Sequence, residues 1–222
     1  MGEWIELTAS DGHRLDAYRS LPTEKARGGV VIVQEIFGVN HHIRALCDEY
    51  AGDGYAAIAP ALFDRDRKKV ELTYTPEGTA EGRLLREQIG WEKPLADLEV
   101  SAASLHAARV RVATIGYCWG GTLSFLMACR SEVACSVAYY GGQIVKFADE
   151  EPKAPLLMHF GEADALISAA DREAISARLP TAEVWVYPAG HGFNCTERQD
   201  YHPPSAHIAK DRTLTFLGKY VG

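Results

Sequence analysis

The sequence lacks the features that would place it in a membrane or in the secretory pathway. No stretch approaches the ~18 apolar residues that a membrane-spanning helix needs, and no basic segment followed by an apolar run opens the chain. Basic residues are in deficit: 23 Lys and Arg stand against 30 Asp and Glu, for a formal net charge of −7. An acidic chain is poorly suited to polyanions. We therefore expect a cytoplasmic protein that binds neither nucleic acid nor membranes.

Cysteine is also sparse, and its spacing argues against a covalent or metal framework. The five cysteines include no Cys-x-x-Cys pair, and they are Cys47, Cys118, Cys129, Cys135 and Cys195. An odd count in a chain of this kind disfavours a set of disulfides, and the spacing disfavours a thiolate zinc site. We expect no metal, and at least one thiol must be free.

The chain is long enough to fold without disulfides or a structural metal ion. Its 222 residues are 47% hydrophobic and 24% charged, which is typical of a globular protein and excludes a disordered or fibrous one. A domain of this size buries about 70% of the surface that its unfolded chain exposes. The sequence contains no repeat and no linker long enough to divide it, so we predict one domain over residues 1–222.

Apolar patterning predicts an α/β fold with a mostly parallel sheet, helices on both faces and an N-terminal antiparallel hairpin. The hairpin spans 3–8 and 13–19 with a primed turn at Asp11-Gly12. Further strands are predicted over 30–33, 55–59, 112–117, 133–140, 155–160 and 182–187. Helices are predicted over 40–52 with Asn40 as N-cap, 78–108 with breaks near Gly90 and Pro94, 119–130, 168–178 and 204–219. The charge run 64–69 is expected to be a solvated loop.

One motif, Gly116-Tyr117-Cys118-Trp119-Gly120-Gly121, joins a predicted strand to a predicted helix. This is the setting of the G-x-S-x-G nucleophile elbow, with cysteine in place of serine. The tight turn requires neighbours without bulky side chains and presents its central residue above the sheet. The helix N-terminus favours a thiolate there. Cys118 is therefore the candidate nucleophile. The alternative of a buried structural cysteine is disfavoured by the flanking glycines.

A thiol nucleophile needs a base, and two later residues follow strands in the required order. Asp164 comes just after the predicted strand 155–160, and His191 follows the strand 182–187. In α/β-hydrolases the order is nucleophile, acid and histidine. His191 would relay the proton, and Asp164 would fix its tautomer. Alone, each residue would more often belong to a loop or cap a turn, but their order after Cys118 favours a triad.

The segment Gln34-Glu35-Ile36-Phe37-Gly38-Val39-Asn40 ends the first buried strand. An oxyanion hole draws one N–H from a loop near this position and one from the residue after the nucleophile, which nominates Ile36 and Trp119. Glu35 is unusual, because a carboxylate at the end of a buried strand is costly unless it is paired. A catalytic role and a local salt bridge both remain open for it.

These motifs, together with Gly161-x-x-Asp164 and Gly190-His191-x-Phe193, resemble the dienelactone hydrolase family over nearly the whole chain. The resemblance implies an α/β-hydrolase fold without a large cap domain, a Cys118–His191–Asp164 triad, no cofactor and hydrolysis of an enol-lactone through an acyl-enzyme. It also implies that Glu35 contacts the resting thiol and is displaced by substrate to activate the sulfur.

Two positions depart from the family pattern. The family's lactone hydrolases hold the substrate carboxylate with two arginines, and Arg86 matches the first, while Cys195 occupies the place of the second. Gly90 stands where those enzymes carry a tyrosine. Arg198, in the same loop as Cys195, is a candidate substitute. Arg86 and Phe37 are the predicted substrate-binding residues, and the reaction class is better specified than the substrate.

The predicted partner is an anionic small-molecule ester or lactone, and the protein is expected to be a monomer or a weak homodimer. A non-catalytic ligand-binding domain on the same fold is the main alternative. A thiol redox protein is disfavoured because no resolving cysteine lies near Cys118 in sequence, and a cysteine peptidase remains open. Cys195 is a candidate second reactive thiol. Tyr74 and Trp91 are expected either to line the pocket or to pack against helices.

Overall fold

In the computed structural model, which describes residues 2–106 and 110–222, eight strands form one sheet flanked by six α-helices. The strands are β1 (Glu3–Thr8), β2 (Arg14–Ser20), β3 (Gly28–Val33), β4 (Tyr55–Pro60), β5 (Val112–Tyr117), β6 (Cys135–Tyr139), β7 (Leu156–Gly161) and β8 (Glu183–Tyr187). The helices are α1 (His41–Gly52), α2 (Pro76–Ile89), α3 (Glu92–His106), α4 (Trp119–Arg130), α5 (Ala169–Arg178) and α6 (Pro203–Tyr220).

The strand order is β1-β2-β4-β3-β5-β6-β7-β8. The two pairings of β2 are antiparallel, and all pairings from β4 to β8 are parallel. Every residue of β3, β4 and β5 is buried, which explains why these strands are continuous apolar runs rather than alternating ones. The prediction of a mostly parallel sheet with an antiparallel hairpin is confirmed.

Parallel strands end at one edge of the sheet, and this edge collects the loops that carry the candidate residues. Gln34, Cys118 and Glu162 directly follow β3, β5 and β7, and the loop that contains His191 follows β8. Neighbouring parallel strands therefore bring together side chains that are far apart in sequence, as open α/β sheets do at their ligand sites.

Several details differ from the prediction. In the hairpin, Gly12 alone among turn residues 10–12 has a positive φ, 83°, and its N–H bonds to Ala9, so the turn is not primed. The predicted helix 78–108 is two helices separated at Gly90, whose φ of 68° ends α2. Pro94 lies in the first turn of α3, where its missing N–H costs nothing, so it breaks no helix. Residues 107 and 108 lie outside the described part of the chain.

The charge run 64–69 is not a solvated loop throughout. Residues Leu62–Arg65 form a 3₁₀ turn, and Arg65 is almost fully buried. Its guanidinium donates to both carboxylate oxygens of Asp97 at 2.9 and 2.7 Å, and it also pairs with Asp11. The prediction of a solvated loop is wrong for Arg65 because its partner Asp97 lies 32 residues later in the chain, in α3.

Three of the cysteines and one buried histidine belong to the core. Cys47, Cys129 and Cys135 are buried, and His159 is hydrogen-bonded through both ring nitrogens.

Across residues 2–106 and 110–222, no helix is both long and apolar enough to cross a bilayer. The same residues contain no cluster of three or more His, Cys, Asp or Glu side chains arranged to hold a metal ion.

Candidate active site

Cys118 sits at the junction between β5 and α4 in a strained conformation, with φ 54° and ψ −114°. Positive φ is unfavourable for a residue with a side chain, so the surrounding structure must hold it there. Its N–H donates to Tyr139 O at 3.0 Å, and its carbonyl accepts from Gly121 N at 3.0 Å. These bonds fix the turn and leave the sulfur half-buried beside a cavity.

The glycines of the motif are required by close backbone approaches. A Cβ on Gly116 would lie 1.8 Å from Gly120 O, and one on Gly120 would lie 2.3 Å from Val33 O. A Cβ on Gly121 would meet Tyr139 O at 2.6 Å. These backbone atoms can move only if the turn or the helix moves with them, so any side chain at the three positions would displace the turn or the helix.

The structure brings Cys118, His191 and Asp164 into one hydrogen-bonded chain. His191 Nε2 lies 3.1 Å from Cys118 Sγ, and Nδ1 lies 2.8 Å from Asp164 Oδ2. The other oxygen of Asp164 accepts from Leu166 N at 2.8 Å. Because a carboxylate only accepts, Nδ1 must donate, which turns Nε2 towards the sulfur. The arrangement can pass a proton between the sulfur and the imidazole.

The electrostatics of this chain favour a charged imidazole. Burial alone would lower the pKa of His191, but the negative charge of Cys118 and the hydrogen bond that His191 donates to Asp164 outweigh it and raise that pKa to about 10. Asp164 is completely buried at its side chain and has both oxygens engaged, so its charge is compensated where it lies.

The two residues nominated as backbone donors, Ile36 and Trp119, line the same cavity as Cys118. Within the described part of the chain, the N–H groups of Ile36 and Trp119 donate to no other group. Two hydrogen bonds hold the start of the loop that carries Ile36: the side chain of Gln34 accepts from Leu62 N and donates to Glu35 O. Free N–H groups beside a nucleophile can bind a negatively charged oxygen.

Glu35 is buried, and its partner differs from the expected one. Its Oε1 lies 3.4 Å from Arg198 Nη1, whereas its Oε2 has no hydrogen-bond partner within the described residues. None of the hydrogen bonds among those residues joins Glu35 to Cys118, whose sulfur bonds to His191 instead. The structure therefore shows no hydrogen bond between Glu35 and the resting thiol, and the side-chain partner of Glu35 among the described residues is Arg198.

A cavity of about 240 Å³ opens beside the sulfur, and its wall includes both predicted substrate-binding residues. It is lined by Ile36, Phe37, Thr79, Arg83, Arg86, Cys118, Trp119, Gly142, Gln143, Leu166, His191 and Arg198. Sequence reasoning missed Arg83, although its spacing of three from Arg86 places the two on one helix face. A larger cavity of about 520 Å³ beside β1 and β2 contains none of the triad residues.

Cys195, Tyr74 and Trp91 pack within the protein rather than line the cavity beside Cys118. Cys195 is fully buried, and burial followed by the charge of Glu35 raises the pKa of its thiol to about 11, which disfavours a second reactive thiol. The Tyr74 ring packs 4.5 Å from that of Phe37, and Trp91 packs 5.1 Å from Phe147. Neither aromatic residue borders the cavity beside Cys118.

Comparisons with known proteins identify the family of this chain. The model of the dienelactone hydrolase family matches residues 15–221. A carboxymethylenebutenolidase from Pseudomonas putida is 33% identical over 225 residues, or 97% of this chain and 95% of that protein. A Synechocystis protein provisionally named a carboxymethylenebutenolidase is 36% identical over 196 residues, or 80% of each chain.

A solved structure gives the same result for the fold. The crystal structure of a Klebsiella pneumoniae protein, provisionally named a dienelactone hydrolase, matches with a TM-score of 0.86 and 34% identity. The match covers 99% of this chain and 100% of that one. The chain therefore belongs to the dienelactone hydrolase family and is an ester hydrolase.

Proposed function

We propose that the protein hydrolyses small anionic esters or enol-lactones through an acyl-enzyme on Cys118. The observation that carries this proposal is the continuous path from Asp164 through His191 to the sulfur, at 2.8 and 3.1 Å, beside a cavity lined by Ile36 and Trp119. A nucleophile, a base and an anion-binding pair within one cavity are the parts that acyl transfer requires.

Acylation begins from a thiolate and an imidazolium. The sulfur attacks the carbonyl carbon and forms a C–S bond, while the carbonyl oxygen takes the negative charge and binds the N–H groups of Ile36 and Trp119. Collapse of this intermediate breaks the C–O bond of the ester. His191 gives its Nε2 proton to the departing oxygen, and Asp164 holds the ring in place.

Deacylation restores the enzyme with one water molecule. The now neutral His191 takes a proton from water, and the resulting hydroxide attacks the thioester carbonyl at the same oxyanion pair. The C–S bond breaks, the acid leaves, and the proton on His191 again faces a thiolate. One ester bond and one water are consumed for each acid and alcohol released, and in a lactone both products remain in one molecule.

Two arginines of the cavity are the proposed ligands of a substrate carboxylate. Arg86 borders the cavity and its exposed contact with Glu87 at 3.3 Å is weak, so it is available to an anion. Arg198 is neutralised by Glu35 in the resting state, and a substrate carboxylate would compete for it. Release of Glu35 would then leave a free carboxylate in the site, and we propose a catalytic role for Glu35 in that state. Phe37 would supply the apolar wall.

The alternatives receive less support from the described residues. A redox cycle needs a second accessible thiol, but Cys47, Cys129, Cys135 and Cys195 are all buried with raised pKa values. The single domain over residues 1–222, the cytoplasmic location and the monomeric or weakly dimeric state remain predictions.

The proposal predicts a carboxylate preference that depends on Arg86. Wild-type kcat/KM should be higher for a 4-nitrophenyl ester with a terminal carboxylate than for the neutral ester of equal length. In Arg86→Gln we expect the value for the anionic ester to fall by about tenfold, or ~1.4 kcal/mol, with the neutral ester nearly unaffected. Equal losses on both esters, or no turnover of any ester or lactone by the wild type, would contradict the proposal.

A second prediction concerns Gly82, where α2 touches the proposed oxyanion loop. A Cβ at this position would lie 2.0 Å from Ile36 O. Alanine is favoured over glycine in a helix by about 1 kcal/mol, but overpacking costs about 1–3 kcal/mol and would push α2 or the Ile36 loop away. We expect Gly82→Ala to lower both the melting temperature and kcat/KM.

Gly218→Ala is the matched control, because a Cβ there has no atom within 4 Å. In α6 the same substitution should raise the melting temperature and leave kcat/KM unchanged. If Gly82→Ala behaves like Gly218→Ala in both measurements, the contact between α2 and Ile36 does not position the oxyanion donor.

A further inference from the structure

Helix α2 lines the cavity with a row of polar side chains that the proposed reaction uses only in part. Thr79, Arg83 and Arg86 all border the cavity. Their spacing of four and then three residues places them on one helix face, over a length of about 10 Å. The face is held against the site because Gly82 lets the helix backbone approach Ile36 O. A row of donors next to the nucleophile is therefore a fixed part of the pocket.

The charge of this pocket is opposite to that of the whole chain. Arg83, Arg86 and Arg198 border the cavity, and no Asp or Glu does, although the chain carries a net charge of −7. Glu35 pairs with Arg198, and the exposed Glu87 lies 3.3 Å from Arg86. Among the salt bridges of the described residues, none involves Arg83. One pocket-facing guanidinium is thus left without a protein counter-charge.

Arg83 and Arg86 lie at different depths. Arg86 is largely buried, with 22% of its side chain exposed, whereas Arg83 is an exposed residue. Side chains one helical turn apart are separated by about 5–6 Å at Cβ. Two arginines whose side chains start this far apart on the helix and lie at two depths can each hold a separate anionic group.

We propose that Arg83 is a specificity-determining residue that binds a second anionic group of the substrate, so that the preferred esters or lactones carry two carboxylates. This inference rests on the proposed function, because it takes Arg86 as the ligand of the first carboxylate. The second carboxylate lies towards the mouth of the pocket, beside Arg83, with the hydroxyl of Thr79 one further turn along the helix. Electrostatic attraction by this arginine row also draws dianions towards an otherwise acidic protein.

The test uses three 4-nitrophenyl esters with the same leaving group: the neutral butyrate, the monoanionic glutarate and the dianionic tricarballylate. Wild-type kcat/KM should be highest for the dianion. Arg83→Gln should lower kcat/KM for the dianion by about tenfold, mainly through KM, and should change the other two by less than about twofold. Arg83→Lys should retain part of the preference, and high salt should reduce it.

Arg178→Gln is the matched control, because it removes the same charge from α5 at a residue paired with Asp149 and not bordering the cavity. It should leave all three values unchanged. Equal losses on monoanion and dianion in Arg83→Gln would mean that Arg83 and Arg86 share one carboxylate, which overturns the inference, as would no loss on any ester or a wild-type preference for the neutral one. Turnover of the neutral ester, and its loss in Cys118→Ala, tests the proposed function separately.

Discussion

Cys118→Ala is expected to fold like the wild type and to lose about 10⁴-fold or more of kcat/KM on every ester and lactone that the enzyme hydrolyses. The loss is large because the variant has no atom that can form the acyl-enzyme bond. Folding should survive, because the side-chain hydrogen bond that is removed is the one with His191, and alanine fits the positive φ no worse than cysteine does. Steady-state kinetics with 4-nitrophenyl butyrate and a melting curve make both measurements.

A covalent readout separates this role from a merely structural one. Rapid quenching of wild-type enzyme with a slowly hydrolysed ester should give a single acyl adduct in the intact mass, located at Cys118 by peptide mapping. Cys195→Ala is the matched control: that thiol is buried and protonated, so its removal should lower stability but leave the adduct and turnover in place. An adduct at another residue, or turnover by Cys118→Ala near the wild-type value, would contradict the proposed mechanism.

The elements that carry the site could be predicted because three of the strands near it, β3, β5 and β7, are buried along their whole length, whereas β8 is largely exposed. β3, β5, β7 and β8 were all located, and the loops after them hold the motifs. The glycines around Cys118 were also informative, because their need arises from backbone approaches within a short stretch of chain. The sheet topology then brings these loops together, because neighbouring parallel strands end at the same edge of the sheet.

The errors arose where a residue's partner is distant in sequence. The sequence around Arg65 predicts a solvated loop, because no residue near it in sequence indicates that it pairs with Asp97. Glu35 was expected beside the thiol, but Arg198, 163 residues away, holds its carboxylate. Burial and pairing of charges depend on how loops meet in three dimensions, which local periodicity does not report.

The arginine row on α2 was recognised only at Arg86 for a similar reason. Helical periodicity places Arg83 on the same face, but which face meets the pocket depends on how α2 packs. The deciding contact is between Gly82 and Ile36 O, and no sequence pattern reveals it. The structure therefore contributes more to the prediction of substrate specificity than to any other part of the proposed function.

His191→Gln is expected to lower kcat/KM by about 10³-fold or more, because the variant loses both the base for deacylation and the acid for the departing oxygen. Glutamine is close in size, so the packing beside Tyr140 should be largely retained. The raised pKa of His191 in the folded enzyme, about 10, means that the imidazole stays protonated beside the sulfur through neutral pH. The rate at which iodoacetamide alkylates Cys118 should then vary little between about pH 6 and 8 in the wild type.

Without the imidazolium, the sulfur of His191→Gln should react as an ordinary thiol does, slowly near pH 6 and about tenfold faster for each unit of rising pH. His41→Gln is the matched control, since His41 is exposed and pairs with Glu197 outside the triad; its kinetics and alkylation profile should match the wild type. A flat alkylation profile in His191→Gln would show that the thiolate does not depend on the imidazole. Turnover within tenfold of the wild type would remove His191 from the proton path, and with it the reason for the 3.1 Å approach of Nε2 to the sulfur.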